Sequence, residues 1–260
     1  MKRLQDKIII VTGSSSGIGL GIARECVREG AQVLLHGTRE DQLRDAAAAL
    51  GDAAHWITAD LVDPGAADVI TAAAIARFGR VDGLVNNAGI FPRGSLADAD
   101  PESFARIFAV NTRAPLLLCK ALAAHLRARG APGSIVNIGS INAHCGQPNL
   151  VIYSMSKGAL MTMTRNLGDG LGPERIRVNQ LNVGWTYTET EHATQLAEGQ
   201  PEDWLDRVPA AFAPSGTLLR PENIAPHAVF FLSDASAPVT GQVYEVEQYP
   251  VIGRNKIAER

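Results

Sequence analysis

From end to end the chain alternates short apolar runs, the length of buried strands, with longer stretches in which apolar residues recur at helical spacing. Lys7 to Thr12 is almost wholly apolar and β-branched, as a strand covered on both faces of a parallel sheet would be. Gly13-Ser14-Ser15-Ser16-Gly17-Ile18-Gly19 follows, and Leu20, Ala23 and Val27 then mark a helix reaching Arg28. Gln32 to His36 predicts a second strand, and Thr38, with Asp41 as box partner, predicts the N-cap of a helix over Asp41 to Leu50. His55 to Ala59 reads as strand three, with Asp63 and Pro64 as N-cap and first residue of a helix running to Phe78. Val81 to Val85, Ser134 to Ile138, Val178 to Val183 and Gln242 to Val246 complete seven strands. Helices are predicted over Pro101 to Ala128, around Tyr153, and over Ile224 to Leu232.

This alternation predicts an α/β, doubly wound fold: a seven-stranded, mainly parallel sheet with helices on both faces. Two places break the pattern. Pro115 disfavours helical geometry at Ala114 and removes an N–H, so a kink or bulge is expected near Asn111, leaving its amide to hold water or a side chain. Residues 185–215 lack clear periodicity and read as a lid, in which Trp185 and Tyr187 could close over a ligand.

Composition narrows the picture without changing it. With 260 residues, 46% of them hydrophobic, and no linker or repeat, one domain over 1–260 is expected. A net charge of -3 gives no electrostatic reason to expect nucleic acid or an anionic membrane, so the partner is expected to be a small molecule. The first apolar run is too short for a signal peptide or a membrane span, and three cysteines without metal-type spacing suit a reducing compartment, so a cytoplasmic protein is expected. Cys145 lies near the candidate site, although a free cysteine equally suits a small buried hydrophobe. The Glu189-Thr190-Glu191-His192 cluster matches no strong metal motif, and no metal is expected.

Chemistry enters at the strand ends. Phosphate oxygens bind backbone N–H groups at a helix N-terminus, where side chains would obstruct them, and the glycines at 13, 17 and 19 provide clearance between a strand and a helix. After strand two, an acidic residue would bind the free ribose hydroxyl of NAD; here stand Gly37, Thr38 and Arg39, so NADP is favoured, with NAD possible. Asn86-Asn87-Ala88-Gly89 ends strand four in small residues, as ligand crevices require, although both asparagines also suit satisfied turn positions. Ser140 follows strand five and faces the same crevice. Tyr153 and Lys157, four apart, share one helix face, where an ammonium would favour the phenolate; the pair alone also suits an amphipathic surface. Between Ser140 and the Tyr153 helix lies a loop rich in hydrogen-bonding groups, Asn142, His144, Gln147 and Asn149, which favours a hydroxylated substrate or is simply exposed.

In this order and spacing, the glycine turn, Asp60, Asn86-Asn87-Ala88-Gly89, Asn111, Ser140 and Tyr153 with Lys157 resemble the short-chain dehydrogenase/reductase family over essentially the whole chain. The resemblance implies a Rossmann-type fold and a catalytic tetrad of Asn111, Ser140, Tyr153 and Lys157. Tyr153 would be the general acid or base, Ser140 would hold the reacting oxygen, Lys157 would lower the tyrosine pKa and bind ribose, and Asn111 would position a water. Cofactor contacts are implied for Gly13, Ser15, Ser16, Gly17, Ile18, Gly19, Thr38, Arg39, Asp60, Leu61, Asn87, Ala88, Gly89, Tyr153, Lys157, Gly184 and Thr188. Substrate contacts are expected from Asn142, His144, Gln147, Trp185 and Tyr187. Val183-Gly184 stands where the family usually has Pro-Gly, which bears on the angle at which the lid begins. Relatives are usually tetramers, formed through the helices at 101–128 and 151–171 and the C-terminal region, and the tail Tyr249 to Arg254 is unusually aromatic and basic. The expected activity is alcohol/carbonyl interconversion on a sugar, polyol or hydroxy acid. Two alternatives stand beside it: 3-oxoacyl-carrier-protein reduction, with Arg127 and Arg129 docking an acidic carrier, and a non-catalytic NAD(P)-binding sensor.

Overall fold

A computed structural model describes residues 2–144 and 146–251. Cys145, and with it any reactive role for its thiol, lies outside the described residues, as does the tail beyond residue 251.

Seven parallel strands form one sheet in the order β3-β2-β1-β4-β5-β6-β7. They are β1 (Ile8–Val11), β2 (Gln32–Gly37), β3 (Ala54–Thr58), β4 (Gly83–Asn86), β5 (Gly133–Ser140), β6 (Ile176–Val183) and β7 (Val243–Val246). The order reverses direction between β1 and β4, so their carboxyl ends open onto a crevice where an α/β sheet binds its ligand. Both faces are covered because successive strand residues point to opposite sides. Ile9, Val11, Val33 and Leu35 pack under helices α1 (Gly17–Arg28) and α8 (Pro221–Leu232). Ile10, Leu34, Leu84 and Ile135 pack under α3 (Ala66–Phe78) and α5 (Ala114–Arg129).

Several boundaries depart from the sequence pattern. The N-cap of α2 (Glu40–Leu50) is Arg39, not Thr38, and its side chain makes no capping bond. Asp63 takes the backbone of Gly65 in a local turn, and α3 starts at Ala66, three residues past the expected N-cap. The stretch after β6 is not all loop: Thr188 caps α7 (Glu189–Ala197), accepting from the Glu191 N–H. Polar helix positions with little apolar periodicity concealed that element.

The interruption near Asn111 is a π-helical turn over Ala109–Arg113, joining α4 (Pro101–Phe108) to α5. The combined stretch is apolar and long enough to cross a membrane, but more than half of its most apolar window is buried against the sheet.

Candidate active site

The glycine turn is shaped by backbone needs. Gly13 and Gly17 have φ of 62° and 56°, the left-handed region that costs other residues strain. Gly19 is required by close approach: a methyl there would overlap the Gly13 carbonyl oxygen and come within 2.5 Å of Asn87 Nδ2. Ser16 sits before α1 in an extended conformation and makes no side-chain cap, leaving the helix N-terminus to a ligand.

Two residues that sequence reasoning missed hold this turn from behind. Buried Ser14 donates to Val11 O at 2.7 Å and accepts from the His36 N–H at 3.0 Å. His36 Nδ1 accepts from Gly13 N–H at 3.4 Å while Nε2 donates to Ala59 O at 3.1 Å. Burial lowers the His36 pKa, which favours the neutral ring this arrangement needs. Polar residues at buried strand and turn positions were the available signal.

The asparagine pair divides its work. Asn86 Nδ2 donates to Asn137 Oδ1 at 2.8 Å inside the sheet, a structural role, while its buried Oδ1 has no partner among the described residues. Asn87 Nδ2 donates to Thr12 O and Gly13 O at 3.0 and 2.9 Å, tying the end of β4 to the glycine turn. Around them opens a cleft of about 530 Å³. Its walls include Gly13, Ser15, Ser16, Gly17, Ile18, Thr38, Arg39, Asp60, Leu61, Asn87, Ala88, Gly89 and Thr188. Arg39 is exposed there, and makes no ion pair among the described residues. Gly19 lies behind the turn, and Gly184 abuts the Glu247 carboxylate, where any side chain would collide. Val183-Gly184 prolongs the sheet, since Gly184 N–H donates to Val246 O at 2.9 Å, and the lid departs only after it.

At the mouth of the crevice, Ser140 ends β5 and Tyr153 lies in the first turn of α6 (Val151–Leu171). The Ser140 hydroxyl acts on the Tyr153 phenol, lowering its pKa. Ser140 Oγ also accepts from Asn142 N–H at 3.1 Å, and Phe91 meets the Tyr153 ring edge-on at 6.2 Å between centroids. One helical turn on, buried Lys157 places Nζ 5.8 Å from the Tyr153 ring centroid and donates to Ile138 O at 2.8 Å.

One expectation needs correction. Tyr153 was expected to have its pKa lowered by Lys157, but burial raises it; the Ser140 hydrogen bond lowers it, the Glu191 charge raises it and Arg93 lowers it. The ammonium spends itself on the Ile138 carbonyl instead. The Asn111 amide holds a side chain, one of the two uses expected of it: Oδ1 accepts from Ile90 N–H, and Nδ2 donates to Ile90 O and Ser156 Oγ, at 2.8, 2.8 and 3.0 Å. Asn111 therefore pins the segment after β4 to the catalytic helix.

Burial lowers the Lys157 pKa from 10.5 to about 8. The folded state thus binds fewer protons than the unfolded one between these values, so the burial penalty is full below about pH 8 and fades as pH rises toward the unfolded pKa near 10.5. Relative to Lys157→Met, the wild type should gain about 2 kcal/mol of stability between about pH 7 and about pH 9.5, read by urea unfolding at each pH. An unchanged difference between the two proteins would show that the ammonium is not desolvated.

The residues expected to meet substrate are less uniformly placed. His144 Nε2 lies 2.7 Å from Glu245 Oε1 and faces Asn182, so the ring is committed to β7 and β6. Gln147 is exposed, and Asn142 meets Ser140 through its backbone. Trp185 and Tyr187 do not lie open: they form the lid's own core with Trp204, Ala213 and Leu218, with Trp185 stacked on Trp204 at 5.8 Å. His192 accepts from Trp204 Nε1 at 2.9 Å in the same cluster. Arg127 is paired with Glu174 at 2.5 Å, and Arg129 with Val81 O and Asp82 at 2.9 and 3.2 Å. Neither guanidinium is held out for an acidic carrier.

This arrangement recurs among known proteins. Residues 13–248 match the family model described as enoyl-(acyl carrier protein) reductase. The chain belongs to the short-chain dehydrogenase/reductase family. It is 38% identical over 252 residues to 2-(S)-hydroxypropyl-CoM dehydrogenase 3 of Xanthobacter autotrophicus, covering 94% of this chain and 96% of that one. It is 34% identical over 245 residues to L-rhamnose 1-dehydrogenase (NAD(P)(+)) of Azotobacter vinelandii, covering 92% and 94%. The crystal structure of L-sorbose reductase from Gluconobacter frateurii, complexed with NADPH and L-sorbose, superposes with a TM-score of 0.89 at 31% identity, over 95% of this chain and 97% of that one. As a short-chain dehydrogenase/reductase the protein is an NAD(P)-dependent oxidoreductase acting on CH–OH groups.

Proposed function

We propose that the protein interconverts a secondary alcohol and a ketone, with NADP(H) preferred and NAD(H) accepted, on a small polar hydroxy compound such as a sugar, polyol or hydroxy acid. The observation that carries this reading is that Ser140, at the end of β5, and Tyr153, in the first turn of α6, come together at the crevice, with Lys157 Nζ 5.8 Å from the tyrosine ring one helical turn further on. The close-packed glycine turn suits a dinucleotide, because its open backbone and free helix N-terminus would cradle a pyrophosphate.

When bound, the nicotinamide supplies or accepts the hydride; the chain's own residues orient the partners and move the proton. Ser140 Oγ holds the substrate oxygen beside the Tyr153 hydroxyl. In ketone reduction, Tyr153 donates its proton to that oxygen; in alcohol oxidation, its phenolate takes the proton away. Lys157, anchored through its ammonium to the Ile138 carbonyl one helical turn from Tyr153, would hold the nicotinamide ribose. Asn111 acts through structure, keeping the Ile90 backbone and α6 in register.

The NADP preference rests on Arg39, and the substrate class on the polar loop after Ser140 together with the likeness to sugar-acting relatives. Oligomerisation through the α4–α5 and α6 faces is part of the same proposal, supported by exposed Phe104, Leu116 and Met155. The test is absorbance of reduced nicotinamide, followed across polyols, ketoses, hydroxy acids and acetoacetyl thioesters with both cofactors. Turnover of hydroxylated substrates is expected; robust thioester reduction without polyol oxidation would overturn the substrate assignment, and NADPH binding without any turnover would overturn catalysis. Arg39→Ala should raise the KM for NADPH about tenfold or more, with little change for NADH, since a charge-assisted phosphate contact is lost. Equal effects on both cofactors would remove Arg39 from phosphate recognition.

A further inference from the structure

Beneath the helix that carries Tyr153, the sheet bears polar side chains where apolar ones would fill the space. Asn137 on β5, Gln180 and Asn182 on β6 and Thr164 on α6 are all fully buried. None of them lines the cofactor cleft. Burying an amide costs free energy unless its donors and acceptors are paired, and these four pair chiefly with one another. Asn137 Nδ2 donates to Thr164 Oγ1 at 2.8 Å, and Gln180 Nε2 donates to Asn182 Oδ1 at 2.7 Å. The Thr164 hydroxyl lies 2.9 Å from both Leu160 O and Gln180 Oε1, and its single proton serves one of them at a time.

Their placement ties together the two elements that carry Ser140 and Tyr153. Lys157, Leu160, Thr164 and Gly168 form one buried stripe of α6, and Tyr153 stands one turn before Lys157 on the same side. A bond at Thr164 therefore fixes the rotation of α6 about its axis, and with it the direction of Tyr153. On β5, Gly139 is the ladder partner of Asn182 and immediately precedes Ser140. A methyl on Gly139 would overlap both Asn182 Oδ1 and Gln180 Nε2, so the bonded amide pair is packed directly against the backbone that delivers the serine. Asn182 Nδ2 faces His144 Nε2, in the loop after Ser140, at 3.5 Å. The pair thus meets the strand of one hydroxyl and the helix of the other. Apolar side chains of the same shape would pack here too, but a fully bonded polar network fixes direction as well as volume.

We propose that Gln180 and Asn182 are positioning residues whose hydrogen-bonded amide pair braces β5 against α6 and so sets Ser140 against Tyr153. The proposal rests on the roles given to Ser140 and Tyr153 above and adds the groups that hold them in register.

The test replaces the pair by apolar isosteres, Gln180→Met with Asn182→Leu, and compares that double variant with Asn182→Leu alone. The single variant strands the buried Gln180 amide, so its Tm should fall by about 2–12 °C. The double variant removes both partners and leaves Asn137, Thr164 and Leu160 O to satisfy one another, so most of the Tm should return. Activity should not return with it. For the best substrate of the panel above, kcat should stay about tenfold to a hundredfold down, the scale of a small misplacement of reacting groups, with the KM for NADPH changed by less than about threefold. A second readout needs no turnover: in protein labelled with fluorotyrosine, the fluorine resonance of Tyr153, assigned through Tyr153→Phe, should shift or broaden in the double variant. Thr164→Val removes one hydroxyl at constant shape, should move the same resonance, and serves if the double variant does not fold. A folded double variant whose kcat returns with its Tm overturns the proposal, since a purely structural pair would behave in that way. So does a Tyr153 resonance that none of these variants moves. If the wild type turns over no compound of the panel, the alcohol/ketone reading falls, and the resonance alone decides the brace.

Discussion

Tyr153→Phe is expected to lower kcat by about a thousandfold or more, because among the described residues no other group is placed to exchange a proton with the substrate oxygen. Ser140 is neutral and already accepts from the Asn142 N–H, and Lys157 is directed at the Ile138 carbonyl. Neither can take over the proton transfer. The ring itself should stay in place: it packs edge-on against Phe91, and phenylalanine preserves that contact. NADPH affinity should accordingly fall no more than about tenfold, the range of one lost neutral hydrogen bond. Stopped-flow single turnovers and fluorescence titration of NADPH separate the two quantities. Retention of more than about a tenth of wild-type kcat would remove Tyr153 from the proton-transfer role, since general acid–base catalysis by one group is worth about a hundredfold at the least.

Gly19→Ala should be nearly as severe, by a different route. The added methyl has no room, because the Gly13 carbonyl oxygen and Asn87 Nδ2 already occupy its place. Relief requires moving backbone, and the backbone at stake is the turn that Asn87, Ser14 and His36 hold together. Overpacking of this kind costs about 1–3 kcal/mol, or roughly 2–12 °C in Tm for a chain of this size. Displacing the turn should also weaken NADPH binding by about tenfold or more, since phosphate binding depends on the aim of its N–H groups. Gly170→Ala is the fitting control: it lies within α6 with open space around the new methyl, and should be neutral or stabilise by about 0.5–1 kcal/mol. Calorimetry and NADPH titration of the two variants check this. Unaltered NADPH affinity in Gly19→Ala would mean that the turn is not the phosphate cradle.

What was legible in the sequence was local. The strands and most of the helices follow from apolar periodicity, and the glycine turn, the Asn111 interruption and the Tyr153–Lys157 pair follow from spacing within one element or across one turn. α7 escaped because a helix whose outer face is solvated and whose inner face meets only a small lid core carries little periodicity. The N-caps of α2 and α3 were misplaced because Thr38 and Asp63 suit a cap and a turn equally well.

By itself, then, the sequence determined the order of elements, the turn that suits a dinucleotide and the helix face on which the proton-transfer pair sits. Each depends on residues a few positions apart, whose geometry the backbone dictates. Only the tertiary structure decided how these parts are used. His36 supports Gly13 from 23 residues away, Asn111 holds Ile90 and Ser156 across two elements, and Arg127 is claimed by Glu174. The sign of the Tyr153 shift was settled in the same way, because burial and the charges of Glu191 and Arg93 exist at that hydroxyl only once the sheet and lid have assembled. Spacing along a chain determines which groups can be neighbours within an element; desolvation and charge depend on every element packed around them.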